Sequence, residues 1–383
     1  MNITLMENVI YVDGGKMMKI GIIDADLLGR KKHRFPNLAC MKISGYHKEK
    51  GDEVTLLTTY DDIDDYDRVY ISKVFTDTPI DESILKKKNV KYGGTGFFWD
   101  KAPDLPEKIE HHMPDYHLYE DWIQTQLDRG MKIKEYDDYL NSSVGFLTRG
   151  CFRKCEFCVN KKYDKAFLAS PLEEFYDPSR KRIVLYDDNF LAYPNWQELL
   201  EELVKAKKPF SFNQGLDIRL ITEEKAQILG KVRYNNKIIF AFDNLEDKKL
   251  IESKLKIWRK YSNKQTKLYL LCGFDRNGLY GNKFWKEDIV SVFERLKITS
   301  KYECLPYITR FNKYEDSPFR GMYINLHRWC NQPNQFKKKT FREFCYDKIN
   351  TAATRRYADE FEKKYPKIAA KYYDLKYWDL KEY

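Results

Sequence analysis

The sequence predicts an α/β protein: a small open α/β domain, a partial parallel barrel of six strand–helix units, and a mainly helical carboxy-terminal extension. Three observations predict it. Short apolar runs of strand type alternate with segments of helical spacing. Pro103, Pro106 and Pro114 interrupt that cadence once, in a connector that cannot be one continuous helix. From about residue 142 the cadence resumes and runs six times before the chain turns aromatic and charged.

Residues 1–18 read as an extension. KIGIIDADL (19–27), EVTLLTT (53–59), DRVYISKVF (67–75) and NVKYGGTGF (89–97) then read as four strands. Leu38, Met41, Ile43 and Tyr46 mark a helix between the first two, stopped at Gly51. This first domain and its connector are placed at 19–118. The barrel is placed at 142–315, with strands at SSVGFLT (142–148), RIVLYDDNF (182–190), FSFNQGLDIR (210–219), NKIIFAFDN (236–244), KLYLLCGF (267–274) and ECLPYITRF (303–311). A doubly wound sheet gives the same cadence. Residues 316–383 form the helical extension.

Composition narrows the class. With 43% hydrophobic and 15% aromatic residues the 383-residue chain is too apolar for disorder. It has no run of eighteen apolar residues, so no membrane partner is expected. The start does not read as a secretory signal, and the crowding of three of the eight cysteines into residues 151–158 favours a reducing, cytoplasmic setting. The net charge of +10 fits a basic-biased surface or a polyanionic partner such as nucleic acid.

The segment VGFLTRGCFRKCEFCVNKK (144–162) carries the chemistry. Cys151, Cys155 and Cys158 have CxxxCxxC spacing, and thiolates are soft ligands suited to zinc or an iron–sulfur cluster. Structural zinc wants four protein ligands and the loop offers three; His111 and His112 lie forty residues upstream. A [4Fe–4S] cubane on three cysteines leaves one iron open to a small molecule. Three ordinary cysteines in a turn account poorly for this spacing beside Gly145 and Gly150.

Here the chain resembles the radical S-adenosylmethionine superfamily, over about residues 142–315. Cys151, Cys155 and Cys158 match its cluster motif, and Phe157 matches the aromatic residue before the last cysteine. The resemblance implies that the open iron binds S-adenosylmethionine and that an electron from the reduced cluster cleaves it, giving a 5′-deoxyadenosyl radical. It also implies cofactor-binding roles at strand ends. Asp188 and Asn189, with Asp187 less favoured, would accept hydrogen bonds from the cofactor ammonium, unless they form only an Asx turn. Arg219 would pair with its carboxylate, with Asp217 either holding Arg219 or standing as a structural surface residue. Asp243 would reach ribose or substrate, and Gly273 would let backbone approach adenine.

Residues 19–100 resemble the cobalamin-binding Rossmann-like domain of one branch of that superfamily, with Gly93-Gly94 at the end of the fourth strand. The Asp-x-His-x-x-Gly pattern that supplies a lower axial histidine is absent. A degenerate domain that supports the barrel or a partner is therefore preferred over one that holds cobalamin. A dinucleotide site is disfavoured, because the first strand enters DADLLGRKK and not GxGxxG.

Cys272 and Cys304 read as buried strand cysteines, and no close CxxC pair outside the loop suggests a second cluster. Cys330, after the apolar MYINL run, is a candidate substrate contact or a packing residue; His47 reads as a surface or packing residue. The leading expectation is a radical enzyme fed electrons by a flavodoxin or ferredoxin and acting on an unidentified substrate, with RNA or a nucleotide favoured by charge. The alternatives are a cobalamin-dependent radical methyltransferase and a non-catalytic iron–sulfur protein that binds nucleic acid.

Overall fold

The computed structural model describes residues 17–30, 35–235 and 237–383. Most of the expected extension at 1–18 lies outside the described residues. The chain divides into two compact units, one ending at Phe210 and the other beginning at Ser211.

The first unit opens with four parallel strands, β1 (Lys19–Asp24), β2 (Glu53–Leu56), β3 (Arg68–Ser72) and β4 (Val90–Gly93), in the order β2-β1-β3-β4. Both faces are covered, as an all-parallel sheet requires. Ile20 and Ile22 pack with Leu38 and Met41 of α1 (Leu38–Glu49), whereas Ile23, Val69 and Ile71 pack with Leu57 and Ile63 on the other side. Asn37 caps α1 by accepting the Cys40 N–H at 3.2 Å. Beyond β4, Gly94 has φ +108°, and a Cβ there would stand 2.3 Å from the Lys73 carbonyl oxygen. His47 is a packing residue, held between Asp52 Oδ2 at 2.7 Å and the Tyr70 hydroxyl at 3.1 Å.

The Pro-rich connector contains one helical turn, Glu107–Glu110, and buries Tyr116, Leu118 and Tyr119. After it come β5 (Ser142–Gly145), the short antiparallel pair β6 (Thr148–Arg149) and β7 (Phe167–Leu168), then β8 (Arg182–Leu185) parallel to β5. The Ile183 N–H reaches the Pro209 carbonyl at 3.0 Å, at the threshold of β9 (Phe210–Phe212). Trp196, Leu199, Leu200 and Leu203 form the buried stripe of α2 (Trp196–Lys205).

In the second unit α3 (Glu223–Lys231), β10 (Ile238–Ala241), α4 (Lys248–Tyr261), β11 (Thr266–Cys272), α5 (Asn282–Lys301) and β12 (Cys304–Arg310) alternate as the sequence predicts. The strands are parallel in the order β10-β11-β12. α6 (Arg320–Cys330) and shorter helices, among them Phe341–Cys345 and Ala352–Lys364, make up the carboxy-terminal part.

Two expectations are refined. The strands of 142–315 pair as two parallel sets, β5-β8-β9 and β10-β11-β12. β9 is three residues long, the chain turns through Gly215 at φ +80°, and Leu216 then makes one isolated parallel bridge to Phe240. The MYINL run lies inside α6, and Cys330 at its end is 1% exposed and buried in the core, a packing residue. That burial removes Cys330 as a substrate contact. Among the described residues no helix is long and apolar enough to cross a membrane.

Candidate active site

The cysteine loop is closed at its neck. Thr148 and Arg149 of β6 pair with Leu168 and Phe167 of β7, so residues 150–166 form a loop between two short rungs. Gly150 sits at φ +86°, where a Cβ would lie 2.2 Å from the Lys165 carbonyl oxygen; only glycine lets the two arms approach this closely. Inside the loop Lys154 Nζ donates to the carbonyls of Lys161 (2.6 Å) and Tyr163 (2.9 Å) and pairs with Asp164 at 2.7 Å. The Tyr163 hydroxyl fastens the loop to Asp104 at 2.9 Å.

The thiols already sit in polar surroundings. Backbone N–H groups of Arg153 and Asn160 donate to the sulfurs of Cys151 and Cys158 at 3.4 and 3.3 Å. Burial pushes the Cys158 thiol up, and the neighbouring Cys155 and Cys151 push it the same way. Phe157 is half-buried within this loop. Among the described residues no three Cys, His, Asp or Glu side chains gather closely enough to hold one metal ion. A cubane attaches its thiolates to different irons, so its ligands stand farther apart than ligands around a single ion. Three soft donors without a fourth fit that group better than structural zinc.

The end of β8 supplies the rest. Asp187 is fully buried, takes the Thr148 N–H and hydroxyl at 2.7 Å each and the Leu147 N–H at 3.2 Å, and is pushed by burial up to about 7. It is a staple between β8 and β6. Asp188 accepts the Gly150 N–H at 2.7 Å and the Asn160 side-chain amide at 2.5 Å, and burial raises its carboxyl as well. The Asn189 amide donates to Cys151 Sγ at 3.2 Å, while its Oδ1 is buried with no partner among the described residues. Sequence reasoning missed Asn160, whose place two residues after Cys158 was the available signal.

The remaining candidates belong to the second unit. Arg219 is held by Asp217 (2.7 Å) and Asp247 (3.1 Å). Asp243 is half-buried, accepts the Leu271 N–H at 3.2 Å, and the desolvation of its carboxyl pushes it up to about 6. Gly273, at φ +78°, gives its N–H to Asp288 at 2.7 Å, and a Cβ there would stand 3.0 Å from the Tyr314 Cβ. Asp288 also takes the Tyr323 hydroxyl at 2.8 Å. Arg295, fully buried, donates to the carbonyls of Phe242 (3.1 Å) and Asp243 (2.9 Å). Asp288 and Arg295 lie in α5, outside any motif. Cys272, Cys304, Cys330 and Cys345 are buried free thiols.

No family model and no curated protein matches the sequence. A solved structure does match the fold: TsrM, a radical S-adenosylmethionine methyltransferase from Kitasatospora setae with cobalamin and a [4Fe-4S] cluster bound. It is 13% identical, with a TM-score of 0.50, over 77% of this chain and 75% of its own. This chain has the radical S-adenosylmethionine fold. OxsB, a cobalamin-dependent S-adenosylmethionine radical enzyme, is also similar, at 14% identity and a TM-score of 0.36 over 96% of this chain and 58% of that one. The match to TsrM is longer than everything from Ser142 onward, so the radical S-adenosylmethionine fold here takes in part of the chain ahead of the cysteine loop.

The end of β1 places Asp24-Ala25-Asp26-Leu27-Leu28-Gly29 in the frame of Asp-x-His-x-x-Gly, with Asp26 where the histidine would be. Asp26 is fully buried and binds the Val74 N–H at 2.6 Å, the Phe75 N–H at 3.4 Å and the Thr78 hydroxyl. It is fixed in the fold and does not supply a free axial ligand. Phe35, Val74 and Trp99 expose apolar surface beyond the strand ends.

Proposed function

We propose that this chain is a radical S-adenosylmethionine enzyme with a [4Fe–4S] cluster on Cys151, Cys155 and Cys158. The observation that carries the reading is the convergence of Asp188 and Asn189 on the neck of the cysteine loop, with Asn189 Oδ1 left without a donor beside Cys151. A buried acceptor without a partner is costly unless something supplies a donor. The ammonium of S-adenosylmethionine supplies it. Bound there, the reduced cluster would give the electron that cleaves the cofactor to a 5′-deoxyadenosyl radical.

The protein's part is to hold and shield. Asp188 fixes Gly150 and Asn160 so that the loop keeps its mouth open. The N–H groups on Cys151 and Cys158 stabilise thiolate charge. We assign Phe157 to shielding the cluster, and Arg219, Asp243 and Gly273 to the remainder of the cofactor, with Asp217 and Asp247 orienting Arg219. A flavodoxin or ferredoxin is the proposed electron donor.

Among reaction classes the fold likeness favours cobalamin-dependent methyl transfer, because the match extends ahead of Ser142 and the exposed apolar edge of the first sheet suits a corrinoid without a lower protein ligand. The test is anaerobic reconstitution with iron and sulfide, with and without cobalamin, followed by S-adenosylmethionine and dithionite. Mass spectrometry would quantify 5′-deoxyadenosine and S-adenosylhomocysteine. 5′-Deoxyadenosine that vanishes in Cys151→Ala supports radical initiation. S-adenosylhomocysteine that requires bound corrinoid supports methyl transfer. A correctly assembled cluster that neither binds nor cleaves S-adenosylmethionine would sink the proposal.

A further inference from the structure

The second unit carries a cavity of about 250 Å³ at the amino-terminal ends of β10 and β11, lined by Lys231, Arg233, Lys237 and Lys264 together with Tyr234 and Gln265. Among the described residues no carboxylate lines it. The seven residues of β11 put about 20 Å between this end and the turn that carries Gly273, so the cavity is separate from the strand ends assigned to the cofactor.

Its charges are not balanced by acids among the described residues. Elsewhere in the same unit basic side chains find acids: Lys260 pairs with Glu223, Lys371 with Glu294, and Arg342 with Glu362 and Asp374. Among the described residues none of the four lining cations forms an ion pair. Lys267 of β11 does not line the cavity but stands beside one of its cations: its ammonium lies 4.3 Å from the centre of the Tyr307 ring and next to Lys237. Burial first, and then the Lys237 charge, press the Lys267 ammonium down to about 8. Two adjacent ammonium groups repel unless an anion stands between them. Tyr234 and Gln265 add polar lining, and the chain brings these groups together from three places: the end of α3, the entry to β10 and the entry to β11.

We infer that this cavity is a phosphate-binding site, formed by Lys231, Arg233, Lys237 and Lys264 with Lys267 next to Lys237, for a ligand that bears one or two phosphate groups. Lysine and arginine present point charges and a donor fork that suit phosphate oxygens. The space admits a pyrophosphate-sized group, and an anion there relieves the repulsion between Lys237 and Lys267. The site stands independently of the cluster chemistry.

The test uses the full chain and inorganic pyrophosphate in isothermal titration at low ionic strength. The wild type is expected to bind saturably at about one site. Lys237→Ala with Lys264→Ala should weaken that affinity at least about tenfold. Removing the exposed pair Lys86 and Lys88 from the first unit, by Lys86→Ala with Lys88→Ala, lowers net charge equally and should leave affinity within about twofold. Circular dichroism melting of each variant checks that the fold persists, and Arg233→Gln provides a second lining variant should the double variant unfold. Competition by a single-stranded RNA oligomer would identify the phosphate source as a nucleic-acid backbone; pyrophosphate binding that RNA does not displace would identify a small phosphorylated molecule. Absence of saturable binding, or equal weakening in the Lys86/Lys88 variant, overturns the site.

Discussion

The side-chain amide of Asn189 donates to the sulfur of Cys151 across 3.2 Å, and its own carbonyl oxygen is buried without a donor among the described residues. One residue thus touches a proposed cluster ligand and offers an acceptor beside it. Asn189→Ala should leave thermal stability nearly unchanged, since the lost contact to sulfur is offset by removal of an unsatisfied buried oxygen. S-adenosylmethionine should bind about tenfold more weakly to the reconstituted variant. Equal affinity in titrations of both proteins would remove Asn189 from the cofactor site.

Gly150 makes the opposite prediction, stability first and chemistry second. At φ +86°, with the Lys165 carbonyl 2.2 Å from a would-be Cβ, Gly150→Ala must reopen the neck of the loop. The cost should exceed about 2 kcal/mol in urea unfolding. Iron retained per chain after reconstitution should fall with it. A variant that unfolds like the wild type would mean that the two arms part without cost.

Asp243 gives a pH signature. Burial holds its folded-state value at about 6 against an ordinary 3.8, so the folded protein keeps this proton when the unfolded chain has lost it. The stability this group allows is complete below about pH 4 and is lost as pH rises through about 6. Asp243→Asn keeps an acceptor for the Leu271 N–H and removes the penalty. Its stability relative to wild type should therefore rise by on the order of 2–3 kcal/mol between pH 4 and pH 7. Parallel pH–stability curves would show that Asp243 is ionised throughout.

Arg295 is fully buried, feels the charges of Asp288 and Asp243, and ties down the carbonyls on which the β10 turn hangs. Arg295→Met leaves those acids without their cation and should cost about 3–5 kcal/mol in denaturant unfolding. Asp288→Asn in the same chain should recover part of that loss. Additive losses in the double variant would show that the two residues do not act together.

Asp26 tests the corrinoid reading from the protein side. Asp26→Asn keeps one acceptor for the loop of Val74, Phe75 and Thr78, and should lower stability by about 1–2 kcal/mol. Corrinoid captured by the variant should show the same absorption spectrum as with wild type, because Asp26 does not ligate its metal. A shifted spectrum would make Asp26 a ligand.

The features legible in sequence are those that local chemistry dictates. Alternation of short apolar runs with helical spacing located β1 to β4 and the strands of the second unit, because burial on both faces demands such runs. Cysteine spacing marked the loop. What stayed hidden depends on partners distant in the chain. Nothing near Asp187 announces that Thr148 will consume its acceptors, and nothing near Arg219 chooses Asp247 over a ligand. MYINL falls in the stretch expected to be mainly helical and lies in α6, but the sequence alone did not decide whether Cys330 at its end meets substrate or packs in the core. The Asp26 frame was visible and was missed because the expected residue type was histidine.

The clasp between β6 and β7 has one more effect. It ties the two ends of the cysteine segment together through backbone hydrogen bonds that owe nothing to sulfur, so most of the entropy of closing that loop is lost when the chain folds. If the proposed cluster forms there, iron would meet three thiols on a short tether instead of a free strand, and assembly would resemble docking into a waiting pouch. In that respect the segment differs from a zinc finger, whose metal must fold the polypeptide as it binds: stripped of metal, this protein should still melt as a folded chain.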